Sequence, residues 1–430
     1  MDKIPEKFLH YLWKHRLFDE NNFFSEAGES IEVVDTGLPN MNSGPDFLNA
    51  SIKIGHTLWV GNVEIHVKSS DWNHHGHNHD KTYNNVILQA VLNNNATVKR
   101  TTGEPIVTGE LKFDPILFKN YQYLLKNESW IACEKEINKI DLFVIDFWLS
   151  RLTIERLEIK SEQIQSSLAA NHNHWETTFY HKLAQNFGFK VNSQPFESLA
   201  QLTPLSIINH HRDSLFQLES LFFGQAGFLD QKTLHDPYHR ELFDEYHYLK
   251  HKWKLKALES HIWKFGRLRP NNFPTLRIAQ FCKLMYQSNR LFSHILEKRH
   301  LDELKKLFVL HPSDYWKTHY HFNKRTQKKP NNLGVDAFHI LVINTIVPFL
   351  FLYGHHQNKQ QYKERALEFL LSLPAEKNSI INRWRKLGIH SHNAYQTQAL
   401  LQLKNHYCSH KRCLECQIGN TLIKKTSNAK

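Results

Sequence analysis

Residues 47–68 read FLNASIKIGHTLWVGNVEIHVK, two β-branched, partly alternating runs on either side of Gly55-His56. A Gly-containing dipeptide between two such runs predicts an antiparallel hairpin that pairs 47–54 with 58–68. SIEVVDTG (30–37), NVILQAVL (85–92) and PIVTGELKF (105–113) have the same texture, giving five predicted strands, most of them bounded by Gly, Asn, Pro or Asp. Ahead of them Ile4, Phe8, Leu9, Leu12 and Trp13 recur at helical spacing, so an amphipathic helix opens the chain. After Cys133 the texture changes. Residues 140–168 keep a helical period over many turns, and 174–187, 238–265, 275–308, 334–353, 362–373, 378–386 and 391–407 repeat it, with Pro270, Pro274, Pro312, Pro330 and Pro374 in or next to the breaks. The expected fold class is α+β: an N-terminal mixed sheet domain with an opening helix over 1–134, a large all-α domain over 135–405, and a C-terminal cysteine cluster and tail over 406–430.

The composition, 41% hydrophobic and 22% charged over 430 residues, excludes wholesale disorder, and five Cys exclude a disulfide scaffold. The first residues mix charge and His into every turn, so no signal-peptide core is expected. FHILVINTIVPFLFLY (338–353) is 16 residues long and includes His339, Asn344, Thr345 and Pro348. A membrane span needs about 20 apolar residues, so this run reads as a buried helix, and a cytoplasmic protein without a membrane partner is expected. Charge is unevenly placed: Met1–Glu134 holds 12 Lys and Arg against 17 Asp and Glu, while 135–430 holds 42 against 25. A basic helical region is the electrostatic footprint of a nucleic-acid partner, although surplus Lys and Arg also simply solvate helices.

The densest chemistry lies between Asn42 and Asp80. Side chains alternate along a strand, so Glu64, His66 and Lys68 share one face, and three ionisable groups in a row must meet water or form a site. Asp46 begins the preceding strand, where an antiparallel hairpin can bring it beside Glu64 or His66. Asp71, His74, His75, His77, His79 and Asp80 follow, with Trp59 and Trp72 at the flanks as stacking or packing surfaces. Imidazole suits Zn, Mn, Fe or Ni better than Mg, so His75 and His77 with Glu64 and His66 are candidate ligands of a transition metal; a His-rich loop that scavenges metal adventitiously is the plainer reading.

Pro45-Asp46 and Glu64 to Lys68, behind a helix–strand–strand–strand order, resemble the core of the PD-(D/E)xK nucleases. That resemblance implies Asp46 and Glu64 as ligands of Mg²⁺ or Mn²⁺ and Lys68 as the group that positions the attacking water, with His66 within the catalytic set. The chain departs from the pattern in reading Glu-x-His-x-Lys rather than acid-x-Lys: either His66 replaces the acid or Lys68 lies one pleat further along.

Near the C-terminus HYCSHKRCLECQIGN carries Cys408, Cys413 and Cys416, three of the five cysteines within nine residues. Their spacing allows thiolates to converge on zinc or an iron–sulfur cluster, and Lys411 and Arg412 are expected to lower the thiol pKa values. Cys133, His406 and His410 are candidates for the fourth ligand, while Cys282, in IAQFCKLMY, reads as a buried hydrophobe. Arg267, Arg269 and Arg277 surround two prolines and are candidate phosphate contacts, against the commoner role of pairing with an acid or capping a neighbouring element. Asn344 is expected to bond backbone freed by Pro348.

GPDF (44–47), VGNVEIHVKSSDW (60–72), HGH (75–77), YNNVIL (83–88), RPNNFPTLRIAQF (269–281), INTIVPFLFLYG (343–354) and YCSHKRCLECQIG (407–419) together resemble bacterial proteins of domain-of-unknown-function family 2851. That resemblance implies no activity. The residues favour a metal-dependent phosphodiesterase, a nuclease acting on DNA or RNA. The alternatives are a non-enzymatic nucleic-acid-binding protein with a structural metal site, and a transition-metal hydrolase or oxygenase built on His75 and His77.

Overall fold

The computed structural model describes residues 3–231 and 235–425. The chain divides into two compact units, Met1–Trp148 with Leu403–Lys430, and Leu149–Gln402. The division falls within the helix Leu142–Ala170 rather than at 134, and the cysteine-bearing segment belongs to the first unit instead of standing alone.

In the first unit, helix α1 (Glu6–Lys14) is followed by β1 (Ile31–Asp35), the two-residue β2 (Leu38–Pro39), β3 (Phe47–Ile54), β4 (Thr57–Lys68), β5 (Val86–Asn93) and β6 (Thr108–Glu110). The sheet order is β1-β3-β4-β5-β6, with β2 against β3. β1, β3 and β4 are antiparallel, while β4, β5 and β6 are parallel, so the sheet is mixed. The hairpin turns at Gly55, whose φ of +57° is where a glycine is needed, and pairs Ile54 with Thr57. Phe8, Leu9, Leu12 and Trp13 are fully buried, and the Trp13 indole donates to Thr36 O at 3.0 Å, fixing α1 to the chain that leads into β2. Between β4 and β5 lies the short helix α2 (Asp71–His74), and α3 (Pro115–Lys126) follows β6.

The second unit is helical around one large apolar core. Three further helices, Ser193–Leu202, Leu205–His211 and Leu215–Gln225, follow; the first buries the stripe Phe196, Leu199 and Ala200, while the third is buried on nearly every side, which erases its period. The expected helix over 275–308 is broken into three, with Ser288 extended and Arg290 left-handed at φ +50°. The apolar run 338–353 is helical and lies mostly inside this core.

That helix opens into a π-turn at Val342–Ile346, just before Pro348. The freed carbonyls are served by side chains from elsewhere: Lys160 Nζ donates to Ile343 O (3.4 Å) and Asn186 to Asn344 O (3.4 Å), while Asn344 itself donates back to Ile340 O (3.0 Å). Lys160 also donates to Asn344 Oδ1 and Gln398 Oε1, each at 3.0 Å. Enclosure of the amine, aided by Arg156, lowers its pKa to about 7. The unfolded chain holds that proton up to about pH 10.4, so between pH 7 and that limit the unfolded state binds more protons and folding strengthens as pH rises. Relative to Lys160→Met, the wild type is expected to gain about 1 to 2 kcal/mol between pH 7 and 8.5, measured by urea unfolding of the helical signal. Parallel profiles for the two proteins would contradict this.

Candidate metal centre

Pairing of Phe47 with Val63 puts Asp46 next to Glu64. The two carboxylates brace each other through backbone: Asp46 N donates to Glu64 Oε2 (3.1 Å), and Ile65 N donates to Asp46 Oδ2 (2.9 Å). Glu64 is 5% and His66 0% exposed, so this face of β4 does not meet water and forms a site. Lys68, two residues on, is exposed at the strand end, where its backbone N–H donates to Asp71 (2.9 Å). The position one pleat beyond Glu64 therefore belongs to His66.

The loop after β4 folds back over this face. Trp72, fully buried and bonded through its indole N–H to Lys99 O (3.0 Å), anchors it. Gly76, at φ +76°, supplies the left-handed turn that returns the chain and brings His75 and His77 onto His66. His66 Nε2 lies 3.2 Å from His75 Nδ1 and 3.7 Å from Glu64 Oε1, and His77 Nε2 lies 3.2 Å from the same oxygen. Donor atoms of the three imidazoles all fall within 4.8 Å of one another. Ligands 2.0–2.1 Å from a tetrahedral ion stand about 3.4 Å apart, so the three imidazoles can close on one transition-metal ion with small adjustment, and Glu64 Oε1 stands beside two of them. His77 Nε2 is buried and faces Glu64 Oε1 at 3.2 Å, which places the imidazole and the carboxylate to share a cation. Its ring stacks on Tyr83 at 3.8 Å.

Burial, with the fields of His75 and His77, lowers the His66 pKa to about 3, keeping it neutral as a ligand must be. Gln89, opposite Glu64 on β5, donates to His66 Nδ1 (3.0 Å) and Ser69 O (3.1 Å). A metal on Nε2 requires a proton on Nδ1, and Gln89 can accept that proton only by turning its amide oxygen to the ring, which gives up its bond to Ser69 O.

Helix α1 adds two residues that sequence reading missed. His10 Nε2 sits 3.4 Å from Asp46 Oδ2; burial works against its charge, but Asp46, Glu6 and Glu64 outweigh that and raise its pKa. Glu6, one turn earlier, is pushed up to about 7 by burial and then by Asp46. Glu64 is likewise raised, by burial first and Asp46 next, against the pull of His77. The only sequence signal was the i, i+4 spacing of an acid and a His beside the apolar stripe of α1. The remaining acids and histidines of the loop are structural or peripheral: Asp80 caps Thr82 (2.8 Å), Asp71 holds Lys68 N and approaches His74 (3.5 Å), and His79 meets Asn78 (3.1 Å). Trp59 is exposed.

A family model described as "Protein of unknown function (DUF2851)" matches residues 6–379. The chain belongs to the DUF2851 family. The matched range holds α1, the whole sheet and the imidazole loop, and ends before the three C-terminal cysteines. No curated protein and no solved structure matches the chain, so the DUF2851 assignment brings no reaction with it.

Elsewhere, Cys133, Cys408, Cys413 and Cys416 line one cavity, with His406 and His410 outside its lining. Lys411 and Lys7 pull the Cys413 thiol down, but burial outweighs them and pushes it up to about 12, opposite to the expected direction. Cys282 is fully buried, its thiol 3.7 Å from Leu218 O. Of the three arginines, Arg267 and Arg269 are exposed. Arg277 is buried: its guanidinium donates to Gln280 (2.8 Å) and Asn272 (2.6 Å) and lies 4.5 Å from the centre of the Phe189 ring. It therefore presents no fork to a phosphate.

Proposed function

We propose that this chain is a metal-dependent phosphodiesterase acting on DNA or RNA. The observation that carries the reading is the meeting of Asp46 and Glu64 at the open end of the hairpin, with His66 and His77 at the second carboxylate and His75 beside His66. A divalent ion held there supplies charge for the phosphoryl oxygens and a bound water of lowered pKa. Mg²⁺ or Mn²⁺ suits the Asp46–Glu64 edge, and Mn²⁺ or Zn²⁺ suits the imidazole edge. Glu6, titrating near neutrality at about 7, can take and return a proton. Lys68, exposed on the same face, is free to reach a phosphate. A helix followed by an antiparallel hairpin and a parallel strand supports the likeness to the PD-(D/E)xK core, and the basic excess over 135–430 supports a polyanionic substrate.

The test is incubation of the full chain with single- and double-stranded DNA and RNA in Mg²⁺ or Mn²⁺. Cleavage that a chelator stops is expected. Salt-sensitive binding without cleavage under any metal would leave a nucleic-acid-binding protein instead.

The imidazole trio favours a second reading, a transition-metal hydrolase or oxygenase for small molecules. Under either reading His75→Ala with His77→Ala is expected to weaken Mn²⁺ or Zn²⁺ binding by roughly 100-fold, read by calorimetry. Unchanged affinity would remove the trio from the centre.

A further inference from the structure

We propose that Cys133, Cys408, Cys413 and Cys416 form a four-thiolate metal centre, separate from the imidazole site, that fastens the C-terminal segment into the first unit. These are four of the five cysteines in the chain, and the first lies 275 positions before the second. Even so, all four line a single cavity of about 20 Å³, together with Leu124, Ala132, Tyr407, Arg412 and Gly419. None is in a disulfide. Four cysteines around one small hole, Cys416 buried and the other three half-buried, from two distant segments, are more than hydrophobic packing alone calls for.

The local backbone is shaped for a thiolate. The backbone N–H groups of Ile418 and Gly419 and the Trp148 indole lie near the Cys416 sulfur and favour its thiolate, although burial outweighs them. Such donors offset negative charge on a sulfur that has lost its proton. Gly419 lets the turn close: a Cβ there would stand 2.2 Å from Cys413 O, so only glycine permits Cys413 and Cys416 to fold over it. A metal is held by thiolates, so its binding here would release the thiol protons. A set of four sulfurs with a Cys-x2-Cys step excludes hard cations and selects zinc or an iron–sulfur cluster.

The tail is also moored to the rest of the unit by buried Leu403, Ile418 and Ile423 and by hydrogen bonds. Lys404 Nζ donates to Trp130 O (2.9 Å), Asn120 Nδ2 to Ile423 O (3.1 Å) and Lys425 O (2.9 Å), and Lys411 Nζ to Leu125 O (2.6 Å). All three hold the tail to α3 or to the loop that carries Cys133. α3 in turn stacks Tyr121 on Phe8 of α1 at 5.3 Å, so the centre buttresses the helix that bears Glu6 and His10.

The experiment is elemental analysis and absorption spectroscopy of the full untagged chain, isolated anaerobically, beside Cys413→Ser/Cys416→Ser and His75→Ala/His77→Ala. In the histidine variant, where the imidazole site is removed, either bound zinc without colour or several irons with broad visible absorption is expected, and the cysteine variant is expected to lack that metal and to hold at most what the imidazole site binds. The two results tell the two metals apart. Should the cysteine variant fail to fold, the wild type is titrated with an organomercurial: metal release in step with four thiols, followed by protease cleavage within 403–425, is the expected outcome. A folded wild type that holds neither zinc nor iron after anaerobic reconstitution, its thiols reacting independently, would overturn the proposal. None of these readouts is catalytic, so failure of the phosphodiesterase reading leaves this test intact.

Discussion

Replacing Glu64 by Gln is expected to lower metal-dependent phosphodiester cleavage by roughly 1,000-fold or more, with the far-UV spectrum and unfolding midpoint near wild type. Glu64 is the one group shared by both halves of the site. Its Oε1 faces His66 and His77, and its Oε2 receives Asp46 N. Gln has the same volume and keeps a carbonyl oxygen for Asp46 N, so packing and the backbone bond survive while the negative charge goes. Because burial and Asp46 already disfavour that charge, folding does not depend on it. Asp46→Asn is expected to behave similarly, since Ile65 N still finds an oxygen. Lys68→Ala is expected to cost only about 10-fold, because an exposed cation adds phosphate attraction without holding the reacting water. Steady-state cleavage of a labelled oligonucleotide in Mn²⁺ measures all three. Full cleavage by both Glu64→Gln and Lys68→Ala would sink the assignment.

The hairpin was legible because its information is local. Two alternating runs around Gly55 dictate the pairing, and pairing alone brings Asp46 to Glu64. His75 and His77 were legible as ligand types but not as partners of His66, since their convergence rests on Gly76 turning left and on Trp72 anchoring the loop from 27 positions away. Glu6 and His10 were invisible for a related reason: an acid and a His on an amphipathic helix look like its solvated side until the sheet they pack beside is known. Lys68 shows the reverse error. Strand alternation correctly put it on the face of Glu64, yet a shared face does not mean a shared environment, and the strand runs out of the buried region between His66 and Lys68. Likewise Arg277 carries the charge of a phosphate ligand, but its place on a helix buried on most sides commits it to Asn272 and Gln280. Boundaries failed where burial removes periodicity, as in Leu215–Gln225, and the chain's return to the first unit at Leu403 is a long-range event that no local pattern encodes.

Gly224→Ala is expected to destabilise the helical unit by about 2 to 3 kcal/mol, against the usual direction of such a change within a helix. Gly224 lies in Leu215–Gln225, where Ala would ordinarily gain about 1 kcal/mol of helix propensity. Here the new Cβ would stand 2.1 Å from Cγ and Cδ2 of Tyr246, in the helix Pro237–Trp253. These are ring atoms near the stem, and the ring cannot swing aside. Tyr246 is 2% exposed, its hydroxyl donates to Gln225 Oε1 (2.9 Å), and Gln225 Nε2 donates on to Leu202 O (2.7 Å). Relief therefore requires the two helices to move apart by more than 1 Å, opening close-packed core, and that cost exceeds the propensity gain. Urea unfolding followed by the helical signal measures the difference. Crowding against one ring makes a further demand: in a Tyr246→Ala background the Gly224→Ala penalty should disappear and the propensity gain return. Equal penalties in the two backgrounds would mean that the glycine is needed for its backbone rather than for the approach of Tyr246.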